Sequence, residues 1–143
     1  MHNELLRHTL STIQYRFEKA IHEANADFGD FSLGKGSRSP AQIVNHMGYL
    51  AHAVVRIATH GGRAELEELP FPAEVERFHA LLRQADDLFR KEPLDMALSK
   101  KLLQGPLADM LTHIGQLAML QRLNGSPVPR GNYVAADIRT GLD

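Results

Sequence analysis

The sequence predicts an all-α fold, a four-helix bundle carrying a short ordered C-terminal tail. Three observations lead there. Apolar residues recur every three or four positions in four separate stretches, Gly and Pro divide those stretches, and a chain of 143 residues suits one bundle core. A single domain over 1–143 is expected, because domains near this size bury most of their apolar surface in one core.

The first stripe, from Asn3 to about Asn25, is Leu6, Leu10, Ile13, Phe17, Ala20, Ile21 and Ala24. Asp27 to Arg38 holds Gly29, Gly34, Gly36 and Ser37 without a sustained period and reads as a loop. Ser39-Pro40 then starts a second helix: Ser accepts a bond from a free backbone N–H, and Pro suits the first helical position. Its stripe is Ile43, His46, Met47, Leu50, Val54 and Ile57, ending before Gly61-Gly62. After Leu69-Pro70-Phe71-Pro72, a third helix is expected from Ala73 to Lys91, with Val75, Phe78, Leu81, Leu82, Ala85, Leu88 and Phe89 facing inward and Pro93 ending it. Leu94 to Gln104 fits either a short helix or an extended crossing segment.

Gly105-Pro106 opens the last long helix, whose stripe is Leu107, Met110, Leu111, Ile114, Leu117, Ala118, Leu120 and Leu123, with Gly125 as its C-terminal cap. Ser126 to Asp143 is rich in Pro and Gly and reads as a tail. Val134, Ala135, Ala136 and Ile138 give it apolar surface to lay on the bundle, where it is expected to close one end. Leu5, Leu81 and Leu88 widen the stripes of the first and third helices, which leaves room for a homodimer.

Composition narrows the function. Net charge is −1 and no block of Lys or Arg occurs, which argues against nucleic acid. No apolar run approaches the ~20 residues that cross a bilayer. Met-His-Asn-Glu lacks the layout of a signal peptide, so the expected address is cytoplasmic. Cysteine is absent, so any metal must be held by nitrogen and oxygen ligands.

Asp109 and His113 are four apart on one helix, about 6 Å along its axis, near enough to share an ion. A carboxylate at the edge of an apolar stripe is costly unless paired or ligated. His46 lies within the stripe of the second helix, where an imidazole needs a partner. The ordinary readings are a surface ion pair for the first two and a core histidine bonded to a backbone carbonyl for the third. The remaining histidines are not expected to be ligands. His2 is terminal, His8 and His22 lie beside the first stripe, and His52 and His79 read as solvent-facing. His60 is 14 positions past His46, roughly 21 Å by helix rise.

The segment Gln104-Gly-Pro-Leu-Ala-Asp-Met-Leu-Thr-His-Ile-Gly-Gln-Leu-Ala-Met-Leu-Gln-Arg-Leu-Asn-Gly-Ser-Pro-Val, together with Ser39-Pro40-Ala-Gln-Ile-Val-Asn-His46, resembles the DinB-like superfamily of bacterial four-helix bundles. The resemblance covers nearly the whole chain, most strongly 39–50 and 104–128. It implies a divalent metal at the bundle's end, held by a His of the second helix and an H-x3-H pair whose second His precedes x-Gly-Gln. His46 and His113, in His113-Ile-Gly-Gln116, match that pattern. Asp109 stands where the family has His, which keeps an oxygen ligand and makes the site harder and more anionic.

Zn, Ni, Fe and Mn all accept such a donor set. The resemblance further implies a metal that activates a small-molecule thiol, hence an S-transferase acting on small electrophiles. The alternative is a non-catalytic metal-binding or structural helical dimer. Candidate ligand-holding groups are Gln116, the surface beside Gly115, Asn45, Asn132 and Tyr133, whose ordinary roles would be local hydrogen bonding or anchoring the tail.

Overall fold

A computed structural model describes residues 1–143. In chain order it contains α1 (Glu4–Ile21), a 3-10 turn (Phe28–Asp30), α2 (Pro40–Thr59), α3 (Phe71–Lys91), α4 (Met96–Leu102), a π turn (Leu103–Leu107) and α5 (Ala108–Leu123). There is no strand, and no helix is long and apolar enough to cross a membrane. The fold is the expected all-helical bundle. The ambiguous segment after Pro93 is resolved as α4, capped by Asp95, whose carboxylate accepts from Leu98 N–H at 2.8 Å.

Each long helix touches two others: α1 packs on α3 and α5, and α2 packs on the same pair. Side-chain contacts give the directions. Phe17 meets Phe78 at 4.7 Å between ring centres while Arg7 reaches Asp86, so α1 and α3 are antiparallel. Gln121 donates to the carbonyl of His22, so α1 and α5 finish at the same end. Along the α2–α5 seam Ile57 shares a cleft with Pro106, and Ile43 another with Leu120, so those two helices are antiparallel. Hence α2 and α3 run the same way, and the topology is up-down-down-up.

Two consecutive parallel helices require the chain to return the full length of the first. α2 has 20 residues and is about 30 Å long, whereas the segment 60–70 spans up to about 36 Å when extended. The return is tied down midway by Asn45, whose Nδ2 donates to the carbonyls of Leu66 at 3.3 Å and Glu67 at 3.0 Å and to Glu74 Oε2 at 2.9 Å. Glu74, 2 % exposed, also accepts from Leu69 N–H and from Arg77. Its carboxylate is thus satisfied where it is buried.

Several boundaries differ from expectation for local reasons. α1 ends at Ile21 because His22 is extended and Glu23 is left-handed, with φ of 55°, which turns the chain toward the buried Phe28. Phe28 stacks edge-on against Phe71 at 5.6 Å and makes the expected loop a part of the core. Gly105-Pro106 does not open the last helix directly. Pro106 has no N–H for the helical ladder and Gly105 leaves helical geometry, so a widened turn precedes Ala108. At the other end Gly125, with φ of 93°, occupies the expected capping position. Gly125 N–H donates to Arg122 and Ser126 N–H to Gln121, the paired bonds of a Schellman motif.

The tail does not close an end of the bundle. From the end of α5 it runs back along α1: Tyr133 packs under the Arg16 guanidinium, 3.8 Å from the ring centre, and Gly141 N–H donates to Ser11 Oγ at 2.9 Å. Its last residues meet a buried ion pair that the apolar pattern did not disclose. Arg7 (4 % exposed) donates from Nε and Nη2 to the two oxygens of Asp86 (2 % exposed), at 2.8 and 2.9 Å. Leu142 N–H adds a third bond to Asp86, and Arg7 also reaches Asp143. Leu5, by contrast, is 78 % exposed and Leu81 and Leu88 are half-buried, so the widened stripes are only partly core.

Removing one member of a buried ion pair strands the other charge, so Asp86→Ala is expected to cost about 3–5 kcal/mol. The loss should be read as a lower urea midpoint at unchanged m-value; a cost under about 1 kcal/mol would refute this role for the pair.

Candidate metal centre

The phase of α2 is set at its start. Ser39 Oγ accepts from Gln42 N–H at 3.3 Å and Gln42 Oε1 accepts from Ser39 N–H at 3.0 Å, a reciprocal cap that begins the helix at Pro40. From there Ile43, Met47, Leu50 and Val54 turn into the core, and His46 falls at the edge of that face toward α5. On α5 the core residues Met110, Ile114 and Leu117 place Asp109 and His113 on the side facing α2.

The three expected ligands come together. His46 Nε2 lies 3.8 Å from Asp109 Oδ2, His113 Nε2 lies 3.4 Å from Asp109 Oδ1, and one donor atom from each residue falls within 4.8 Å of the others. The imidazoles meet edge to face, 4.8 Å between ring centres. Ligands about 2.0–2.2 Å from a tetrahedral ion are about 3.3–3.6 Å from one another, so this group is able to hold a divalent cation with small adjustment.

The position differs from what the family resemblance implied. His46 is seven residues into α2 and His113 six into α5, which puts the site part-way along the α2–α5 seam and not at the bundle's end. Burial differs as well. The Asp109 side chain is 46 % exposed, so its carboxylate carries little desolvation cost and does not by itself require a cation. The constrained members are the imidazoles, with His113 only 8 % exposed.

Gln116 Oε1 lies 2.8 Å from His113 Nδ1. An amide oxygen only accepts, so this contact puts a proton on Nδ1, and in the neutral ring it leaves the Nε2 lone pair directed at the site. That is the arrangement of an outer-shell group holding a ligating imidazole. His46 stacks on Tyr49, 6.2 Å between centres with planes 19° apart, and Thr112 Oγ1 sits 3.2 Å from Asp109 Oδ1. Tyr49 and Thr112 were not singled out in the sequence. Their only signal was spacing, one turn beyond a candidate His and one turn beyond a candidate Asp.

Burial holds the His46 imidazole below its usual pKa of 6.5; the nearby Arg38 and His113 push the same way, and Asp109 partly opposes them. The neutral ring that a metal needs is therefore favoured. Among the other candidates, Asn45 is engaged with the return segment, Asn132 caps Ala135 N–H, and Tyr133 and Gly115 line a separate groove between α1 and α5. None of them meets the three ligands.

His52 and His79 are not solvent-facing as expected: the Nε2 of each is buried without a hydrogen-bond partner. His79 lies edge-on to Phe17, and its Nε2 is 3.6 Å from Glu18. Burial lowers its pKa from 6.5, Arg83 adds to the effect and Glu18 opposes it.

No protein-family model, curated protein or solved structure matches the chain.

Both depressed histidines bear on stability with one sign. The unfolded rings protonate first as pH falls below 6.5, while the folded rings stay neutral to lower pH. Stability is full above 6.5 and declines as pH falls through that value toward the folded pKa. The urea midpoint of metal-free protein is expected to drop between about pH 7.5 and 5.5, and His79→Phe to lessen the slope. A flat midpoint across that range would overturn the assignment.

Proposed function

We propose that this chain is a DinB-like metal protein in which His46, Asp109 and His113 hold one divalent cation, and that it acts as a thiol S-transferase on small electrophiles. The observation that carries the proposal is the convergence of the three donors from two helices, with Gln116 orienting the most buried of them.

A bound divalent cation supplies Lewis acidity, lowering the pKa of a ligated water or thiol. The chain's own residues supply the rest. Three protein donors leave coordination positions for solvent or substrate, as catalytic sites do. With both rings neutral, Asp109 provides the single negative charge, so a dication retains net positive charge toward an anionic sulfur. Tyr49 braces the face of His46, and Gln116 holds the ring of His113 through Nδ1 so that Nε2 faces the site. Open clefts of about 430 and 530 Å3 flank the ligands, the first reached by His46 and the second by Asp109, which is room for a small molecule.

Metal content of protein purified without a polyhistidine tag tests the site. One equivalent of Zn, Ni, Fe or Mn is expected in the parent and none in folded His46→Ala or His113→Ala; a parent that takes no metal after resupply removes the proposal. Gln116→Ala should weaken affinity by about 10–100-fold, because the orienting bond is lost while all three ligands remain. Thiol consumption by the loaded protein against a panel of electrophiles tests the chemistry. A loaded but inert protein would favour the non-catalytic reading.

A further inference from the structure

The larger flanking cleft has a built-in polarity. It lies between the second half of α2 and the π turn with the start of α5, and its walls include the apolar Leu50, Ala53, Ile57 and Pro106. Asp109 lines it at the metal side. Arg56 also lines it, ten residues beyond His46 on α2, or about 15 Å along the axis.

Arg56 is half-buried and forms no ion pair or side-chain hydrogen bond with the protein, and its Nε is fully buried without an acceptor. A cation in the last turn of a helix is favoured by the helix dipole, but the dipole is equally served by a guanidinium extended into water. The Nε of Arg56 is withdrawn from solvent while the terminal nitrogens of the half-buried guanidinium stay free to meet an anionic oxygen that enters the cleft, and such a charge-assisted pair is among the stronger hydrogen bonds. The only acid lining the cleft is Asp109, and it is one of the three candidate metal ligands.

We infer that this cleft takes a small carboxylate with an apolar body, the carboxylate on Arg56 and the opposite end directed toward the metal ligands. The arrangement sorts by charge. In the metal-free protein Asp109 repels an anion from one end and Arg56 attracts it at the other, so there the molecule enters in one orientation. The apolar walls take the chain between them, and the distance between the two ends suits a body of roughly five to eight carbons, given about 1.3 Å per methylene and the reach of the Arg side chain back toward the helix start. The inference deepens the proposed function by naming a substrate class for the same site, and the orientation toward the metal rests on that reading. Occupancy of the Arg56 end does not.

The test uses hexanoate and its uncharged counterpart hexanamide as probes on 15N-labelled full-length protein, metal-free and zinc-loaded. Hexanoate is expected to move the Arg56 Nε–Hε resonance saturably. Hexanamide should bind at least tenfold more weakly. Arg56→Gln should lower hexanoate affinity at least tenfold with zinc stoichiometry unchanged, whereas Arg122→Gln, at an exposed position on α5, should leave it unaltered. Zinc loading should tighten hexanoate by offsetting the charge of Asp109.

An Arg56 resonance that does not respond, equal binding of the two probes, or undiminished binding by Arg56→Gln would each overturn the inference. Should Arg56→Gln not fold, Arg56→Lys serves in its place, with weakened binding expected from loss of the two-pronged contact and unweakened binding counting against the proposal. If the parent takes none of Zn, Ni, Fe or Mn, the metal proposal fails alone, and the Arg56 assignment is decided by the metal-free titration.

Discussion

The antiparallel packing of α2 on α5 is the constraint on which the rest depends. It sets Ile57 near Pro106 at one end and Ile43 near Leu120 at the other, and only in that register do His46 and His113 meet edge to face between them. A shift of one residue on either helix turns its side chains by about 100° and would separate the donors. The register is secured locally at both ends. The Ser39–Gln42 cap fixes where α2 begins, and the π turn absorbs the proline ahead of α5.

That packing forces the unusual connectivity. With α2 antiparallel to α5 and parallel to α3, the segment 60–70 must travel back along α2, and an extended strand of backbone on a helix surface has no ladder to satisfy its polar groups. Asn45 and Glu74 provide the partners. Arg7 and Asp86 do the same on the opposite side, where they receive the backbone of the tail. Each return is therefore held by a buried charged group that is itself fully bonded, and the apolar core does not have to specify the course of either segment.

The electrostatics of the candidate metal centre follow from its place at the rim of the seam. The core side desolvates the His46 imidazole and favours its neutral form, while Asp109 lies on the solvent side with its side chain 46 % exposed. Two imidazoles and one carboxylate beside open clefts form a group that could hold a divalent cation. The two flanking clefts differ in charge: the first combines Arg38 with Glu65 and Glu68, and the second sets Arg56 against Asp109.

The helices were legible in the sequence because periodicity, Ser39-Pro40, Pro93 and Gly125 act within a few residues of themselves. The three donors were only suggested by pattern, since i and i+4 share a helix face and a polar residue in an apolar stripe stands out; the resemblance at 39–50 and 104–128 is what singled them out. What lay beyond reach were the relations between elements. Nothing local to Arg7 announces Asp86, nothing local to Asn45 announces Glu74 29 residues away, and the exposure of Asp109 depends on how far α5 is rotated against α2. The sequence by itself determined which segments are helical and which residues can ligate. Tertiary packing alone decided the parallel pairing of α2 with α3, the path of the tail along α1 and the location of the site in a side seam, because interhelical register arises from side-chain fit across surfaces that are remote in the chain.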